Sequence, residues 1–246
     1  IRIWIDKAGL EDDIETRMIT YPDLQSKQFA EVNPMKKVPA FITGCGKTVF
    51  ESAVILDYLM DKYRGRAKDF DPSTPEARAM VNLFVRIHDL YIASPNSSQP
   101  GFSHTQGAMY LAPYETKWCP AVRCMDKSTR AAKIAEIWKQ LTWLEETMDG
   151  RPYLVGDELT IADMTWYPTA IFMEFMLPRV FDWPQVFRER EHFPKLAAWH
   201  KALTDDETFA AVRQDILAFW EVKYQEGQFE SIKGELADTS FKWKYP

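Results

Sequence analysis

Residues 33–63 read NPMKKVPAFITGCGKTVFESAVILDYLMDKY, and this stretch decides the fold. Two short β-rich runs, PAFITG and KTVFE, flank Gly44-Cys45-Gly46, a tight-turn signal, so they predict a hairpin. From Glu51 to Arg64 the apolar residues Val54, Ile55, Tyr58, Leu59 and Tyr63 form one stripe of a helix. Val38-Pro39 opens the first run. Proline cannot donate to a strand ladder, so it belongs at a strand start or edge. A trans bond is the ordinary case there; a cis bond would turn the preceding backbone outward and expose the Val38 N–H and C=O to a ligand. Glu51-Ser52 stands at the strand-to-helix junction. Ser52 is expected to cap the helix, whose free N–H groups make an anion site, and Glu51 could hold an ammonium beside it. The pair suits an amino-acid zwitterion; a plain helix cap is the other reading.

Working outward, residues 1–10 read as a helix stopped at Gly9. Residues 14–20 alternate apolar and polar and predict a strand. Residues 24–32 predict one helix ending before Asn33-Pro34. Residues 65–74, GRAKDFDPST, are polar with Gly and Pro and read as a linker. Everything after it reads as helical: 75–93, 128–148, 161–177, 194–203 and 207–222. The expected organisation is a small α/β lobe over 1–66, a larger all-α lobe over 75–222 and a tail over 223–246. The segment 94–124 is an insertion far longer than an ordinary connection. It is expected either to overhang a cleft and shape a substrate site, or to cover helices or a subunit contact. The tail carries Tyr224, Phe229, Phe241, Trp243 and Tyr245 and is expected to pack on its own lobe.

Composition narrows the classes. The chain has 246 residues, 46% hydrophobic, with nine Trp, which is enough apolar matter to fold without staples. A net charge of −6, from 30 basic and 36 acidic residues, argues against a general nucleic-acid binder. Three cysteines, Cys45, Cys119 and Cys124, form no disulfide framework and point to a reducing compartment. No run approaches the roughly 18 apolar residues of a membrane span. Gly46-Lys47-Thr48 is no phosphate loop, because Phe41 stands where the pattern needs Gly and a strand follows. Cys119 and Cys124 lack zinc-knuckle spacing, so no metal is expected. His88 lies on an apolar stripe and reads as a packed histidine.

NPMKKVPAF, a hairpin and ESAVILDYLMDKY together resemble the thioredoxin-like lobe of glutathione transferases. A second landmark agrees: Leu154-Val155-Gly156-Asp157 leads to Thr160-Ile161-Ala162-Asp163, which resembles the buried capping motif of that family's helical lobe. The resemblance covers about residues 1–220. It implies a thioredoxin-like α/β lobe followed by an all-α helical lobe, with glutathione as co-substrate. By resemblance, Val38 and Pro39 pair with the cysteinyl part of glutathione, Glu51 and Ser52 bind its γ-glutamyl end, and Lys37 meets its glycyl carboxylate. The family's sulfur-activating Ser, Tyr or Cys lies after a first strand, near the start of the first helix. Ile1 already falls within that helix, so both the strand and the catalytic residue are expected upstream of Ile1. The implied activity is conjugation or reduction of a small electrophile by a cytoplasmic homodimer. The alternative is a non-catalytic subunit of this fold that docks in a larger assembly.

Overall fold

The computed structural model describes residues 1–93, 104–113 and 124–245. The chain divides into two compact units, Ile1–Asp71 and Pro72–Pro246. The first contains α1 (Arg2–Lys7), α2 (Tyr21–Gln25), α3 (Lys27–Val32), β1 (Ala40–Ile42), β2 (Thr48–Phe50) and α4 (Ser52–Lys62). α1 buries Ile3, Trp4 and Ile5, and α4 buries Ile55, Leu56 and Leu59. β1 and β2 pair antiparallel, with Ala40 opposite Phe50 and Ile42 opposite Thr48. Their turn is locked by the Thr43 hydroxyl, which accepts from Lys47 N and donates to Lys47 O, each at 3.0 Å. Gly46, at φ +83°, supplies the left-handed residue that the turn requires.

Two expectations in this unit do not hold. Residues 14–20 form no strand: Glu15 to Ile19 make no backbone–backbone hydrogen bond among the described residues, and Met18 is 79% exposed. Alternation marks a strand only where a neighbour completes the ladder, and no described strand lies beside this segment. The single helix expected over 24–32 is instead two helices broken at Ser26, whose backbone is extended at ψ 158°. The Ser26 hydroxyl accepts from Phe29 N at 3.0 Å. That local bond starts a new helix and competes with continuing the old one.

The second unit is all-helical among its described residues: α5 (Pro75–Ile87), α6 (Lys127–Thr147), α7 (Ile161–Phe181), α8 (Pro194–Thr204), α9 (Glu207–Gln225) and α10 (Glu230–Glu235). α5 runs into a π-helical turn at His88–Ala93, and a 3-10 turn spans Thr105–Met109. Sixteen of the 21 residues of α7 are buried, so it is a central helix and not an amphipathic surface one. α5, α8 and α9 pack around it. Most of the 94–124 insertion lies outside the described residues. The part that is described, 104–113, is a buried plug: Thr105, Ala108 and Met109 are at most 2% exposed, and the 3-10 turn packs on α6 and α7.

The tail packs on its own helical unit. Phe229 and Ile232 are fully buried, and Trp183 Nε1 donates to the Trp243 carbonyl at 2.7 Å. Glu235 pairs with the buried Arg130 at 2.6 Å, and Asp238 pairs with Lys127. His88 is packed as expected, with Nε2 2.8 Å from the Thr169 hydroxyl and its ring edge-on to Trp166. Cys45 is an exposed free thiol, whereas Cys124 is buried and disulfide-bonded. One disulfide is no framework, but it departs from the expectation of wholly reduced thiols. No described helix is long and apolar enough to cross a membrane.

Candidate functional site

The hairpin gathers four of the five residues singled out from the sequence. Ala40 stands opposite Phe50, so Val38 enters the hairpin and Ser52 leaves it at the same end. Pro39 and Glu51 are the residues that join them to the strands. The Val38-Pro39 bond is cis, and Val38 is 57% exposed. Neither the N–H nor the C=O of Val38 makes a hydrogen bond among the described residues. Lys37 adjoins this end with an exposed side chain, and its carbonyl accepts from Asn33 Nδ2 at 2.8 Å. Among the described residues no hydrogen bond or ion pair fixes the Lys37 ammonium.

The start of α4 differs from the sequence reading. Ser52 is not the cap: Glu51 occupies that position, and Ser52 is the first helical residue. The reason is that the chain turns into the helix at Glu51, whose carbonyl already accepts from Ile55 N at 2.9 Å. Glu51 does this at φ +71°, ψ 121°, a backbone conformation that an L-residue adopts at a cost. Lys36, at φ +50°, is a second such residue beside the same end. No side chain caps α4, and the hydroxyl of Ser52 is without a hydrogen bond among the described residues. The first N–H groups of a helix have no partner within it. Here they stay open beside two exposed side chains.

The longer helices of the other unit are treated differently. Thr74 caps α5, Asp126 caps α6, Thr160 caps α7 and Asp206 caps α9. α8 has no cap of its own, yet the Glu145 carboxylate of α6 accepts from Lys195 N and Leu196 N at 2.9–3.1 Å. Among the described helices of eight or more residues, α4 alone has no side-chain oxygen on its first N–H groups. Chemically, this end of the hairpin offers backbone donors and a helix dipole to a carboxylate, an exposed carboxylate to an ammonium, and an unpaired peptide edge to another peptide.

Other reactive groups fall elsewhere. Cys45 sits in the turn, at the opposite end of the hairpin from Val38. Its thiol lies 3.2 Å from the Thr43 hydroxyl, and that hydrogen bond holds it below the usual thiol range. Asp163 is fully buried and accepts from Leu154 N, Thr160 N, the Thr160 hydroxyl and Trp199 Nε1 at 2.8–3.0 Å. Its role is architectural. Glu174, buried in α7, opposes its own desolvation with hydrogen bonds from Arg213 and Arg188, and His200 Nε2 lies 3.5 Å away. The hydrogen bonds from these neighbours outweigh the desolvation and hold its carboxyl well below the usual range. Asn33, read in the sequence only as part of the helix stop at Asn33-Pro34, is buried at the end of α3.

Comparison with known proteins shows the family. Residues 1–61 match the family model for the glutathione S-transferase N-terminal domain, and residues 127–202 match that for the C-terminal domain. Mouse glutathione S-transferase theta-1 is 30% identical over 221 residues, covering 88% of this chain and 79% of the relative. A glutathione S-transferase domain-containing protein of Dictyostelium discoideum is 25% identical, covering 85% of this chain and 72% of the relative. Glutathione transferase URE2P5 from Phanerochaete chrysosporium shares the fold at a TM-score of 0.67 and 22% identity, covering 92% of this chain and 91% of that one. URE2P6 from the same fungus, solved in complex with oxidized glutathione, shares it at 0.64 and 24% identity, covering 88% and 90%. The chain belongs to the glutathione S-transferase family.

Proposed function

We propose that the Val38–Ser52 end of the hairpin binds glutathione, and that the protein transfers this thiol to an electrophilic small molecule or reduces such a molecule with it. The observation that carries the reading is the uncapped start of α4 beside an unpaired Val38 backbone. In this reading the γ-glutamyl carboxylate accepts from the first N–H groups of α4 and the Ser52 hydroxyl. Glu51 holds the γ-glutamyl ammonium, and Lys37 faces the glycyl carboxylate. Val38 pairs through its backbone with the cysteinyl residue, next to Pro39. For transfer, the thiol gives its proton to solvent and the glutathione thiolate attacks carbon: an S–C bond forms while the leaving group departs with its electron pair. For reduction, a second glutathione thiolate attacks the bound sulfur, glutathione disulfide leaves, and the substrate keeps the electron pair and takes a proton. The residues named here bind and orient; none of them is assigned the activation of sulfur. The working form is taken to be a homodimer. A reducing cytoplasm, expected from the cysteine count, is the part of the reading that the Cys124 disulfide weighs against.

Retention on immobilised glutathione tests the site. Wild type is expected to be retained, and both Glu51→Ala and Ser52→Ala to elute early, at unchanged thermal midpoints. Equal retention of all three would remove the assignment.

A further inference from the structure

We propose that Asn33 is a positioning residue for glutathione binding: it holds the Lys37 carbonyl inward and thereby presents the Val38 N–H outward to the cysteinyl carbonyl of the ligand. The inference rests on the reading of the site given above and adds a residue to it. Asn33 is 1% exposed and ends α3, with its own N–H on the Phe29 carbonyl at 2.8 Å. Both ends of its side chain are engaged. Oδ1 accepts from Met35 N at 2.9 Å, and Nδ2 donates to the Lys37 carbonyl at 2.8 Å. The Asn33 carbonyl in turn accepts from Lys36 N at 2.9 Å. One buried amide therefore clasps the whole turn from Asn33 to Lys37.

The consequence follows from peptide geometry. The Lys37–Val38 bond is trans, since the cis bond is the next one. In a trans peptide the C=O and N–H of one plane point in opposite directions. With the Lys37 carbonyl fixed toward a buried side chain, the Val38 N–H is directed away from it. That N–H makes no hydrogen bond among the described residues, and Val38 is 57% exposed. A residue that merely stopped α3 would need the Met35 bond and not the one to Lys37. The Nδ2 bond closes the turn at Lys37 and so sets the orientation of the peptide that meets the ligand.

Asn33→Asp separates the two bonds, because it is isosteric, keeps the acceptor for Met35 N and loses the donor to Lys37. Titration calorimetry with glutathione and with γ-L-glutamyl methylamide reads the effect. The second ligand keeps the γ-glutamyl end but has no cysteinyl carbonyl. We expect the glutathione Kd to rise about tenfold, the loss of one hydrogen bond to a positioned donor, with the methylamide Kd unchanged. Unchanged glutathione affinity, or an equal loss for both ligands, would overturn the proposal. Wild type failing to bind glutathione at all would instead remove the parent reading. Should Asn33→Asp not fold, hydrogen exchange on wild type decides: the Val38 amide is expected to slow at least about tenfold with saturating glutathione, and no slowing overturns the proposal.

Discussion

α4 and α8 are helices of the same length, 11 residues, and neither has a side-chain cap at its own N-cap residue. The two meet that shared need in opposite ways. At α8 the protein brings a carboxylate from another helix: Glu145 accepts from two N–H groups, while Lys195 Nζ donates to the carbonyls of Glu145 and Met148 that end α6. At α4 no described side chain does so, and the cap position is held by a residue at positive φ. The lesson is that an unsatisfied helix start is not forced on this chain by its sequence. Where the start is architectural, a carboxylate covers it. Where it is open, the free N–H groups are available to the carboxylate that the proposed function places there.

The contrast breaks most visibly at α7, the helix with the most deeply buried cap. Asp163→Ala removes the acceptor from Leu154 N, Thr160 N and Trp199 Nε1, all away from water. Buried donors left unpaired cost about 1–3 kcal/mol each before relaxation, so we expect a loss of about 4 kcal/mol. Urea unfolding followed by tryptophan fluorescence measures it. A loss below about 1 kcal/mol would mean that water reaches this cap, and the distinction from α4 would lapse.

Glu145→Ala comes next. It uncovers the start of α8, whose N–H groups are nearer solvent, and the expected cost is about 1–2 kcal/mol, the usual worth of a cap with its dipole term. Far-UV circular dichroism through the same titration measures it. If Glu145→Ala leaves stability unchanged, α8 tolerates an open start, and the contrast with α4 lapses.

Much of this was legible in the sequence, and the reasons differ from element to element. The hairpin and α4 were readable because turn glycines and a helical stripe are local signals. The Thr160-Asp163 box was readable because its spacing is local too. What was not readable depended on partners distant in sequence. The Glu145 cap spans 50 residues, and nothing in either segment announces it. The alternation of 14–20 reads as a strand, yet a strand needs a neighbour, which a local pattern does not contain. At the site, the residue types of Glu51-Ser52 pointed to the right junction but to the wrong capping residue. Which of two adjacent residues turns the corner is decided by the backbone at Glu51. Asn33 was overlooked because its neighbour Pro34 explained the helix stop by itself.

The smallest effect is the one that separates architecture from function most sharply. Glu51 sits at φ +71°, ψ 121°, where an L-residue pays a steric penalty and glycine, without a Cβ, pays a smaller one. If its side chain served the fold, removing it would destabilise. The structure gives it no hydrogen bond in the cap, so Glu51→Gly should relieve strain and raise the unfolding free energy by up to about 1 kcal/mol. The same change deletes the carboxylate assigned to the ligand ammonium, so retention on immobilised glutathione should fall. Stability up and binding down is the pattern of a residue whose conformation is held for a ligand. A variant less stable than wild type by 1 kcal/mol or so would place Glu51 with Asp163 and Glu145, as one more structural start.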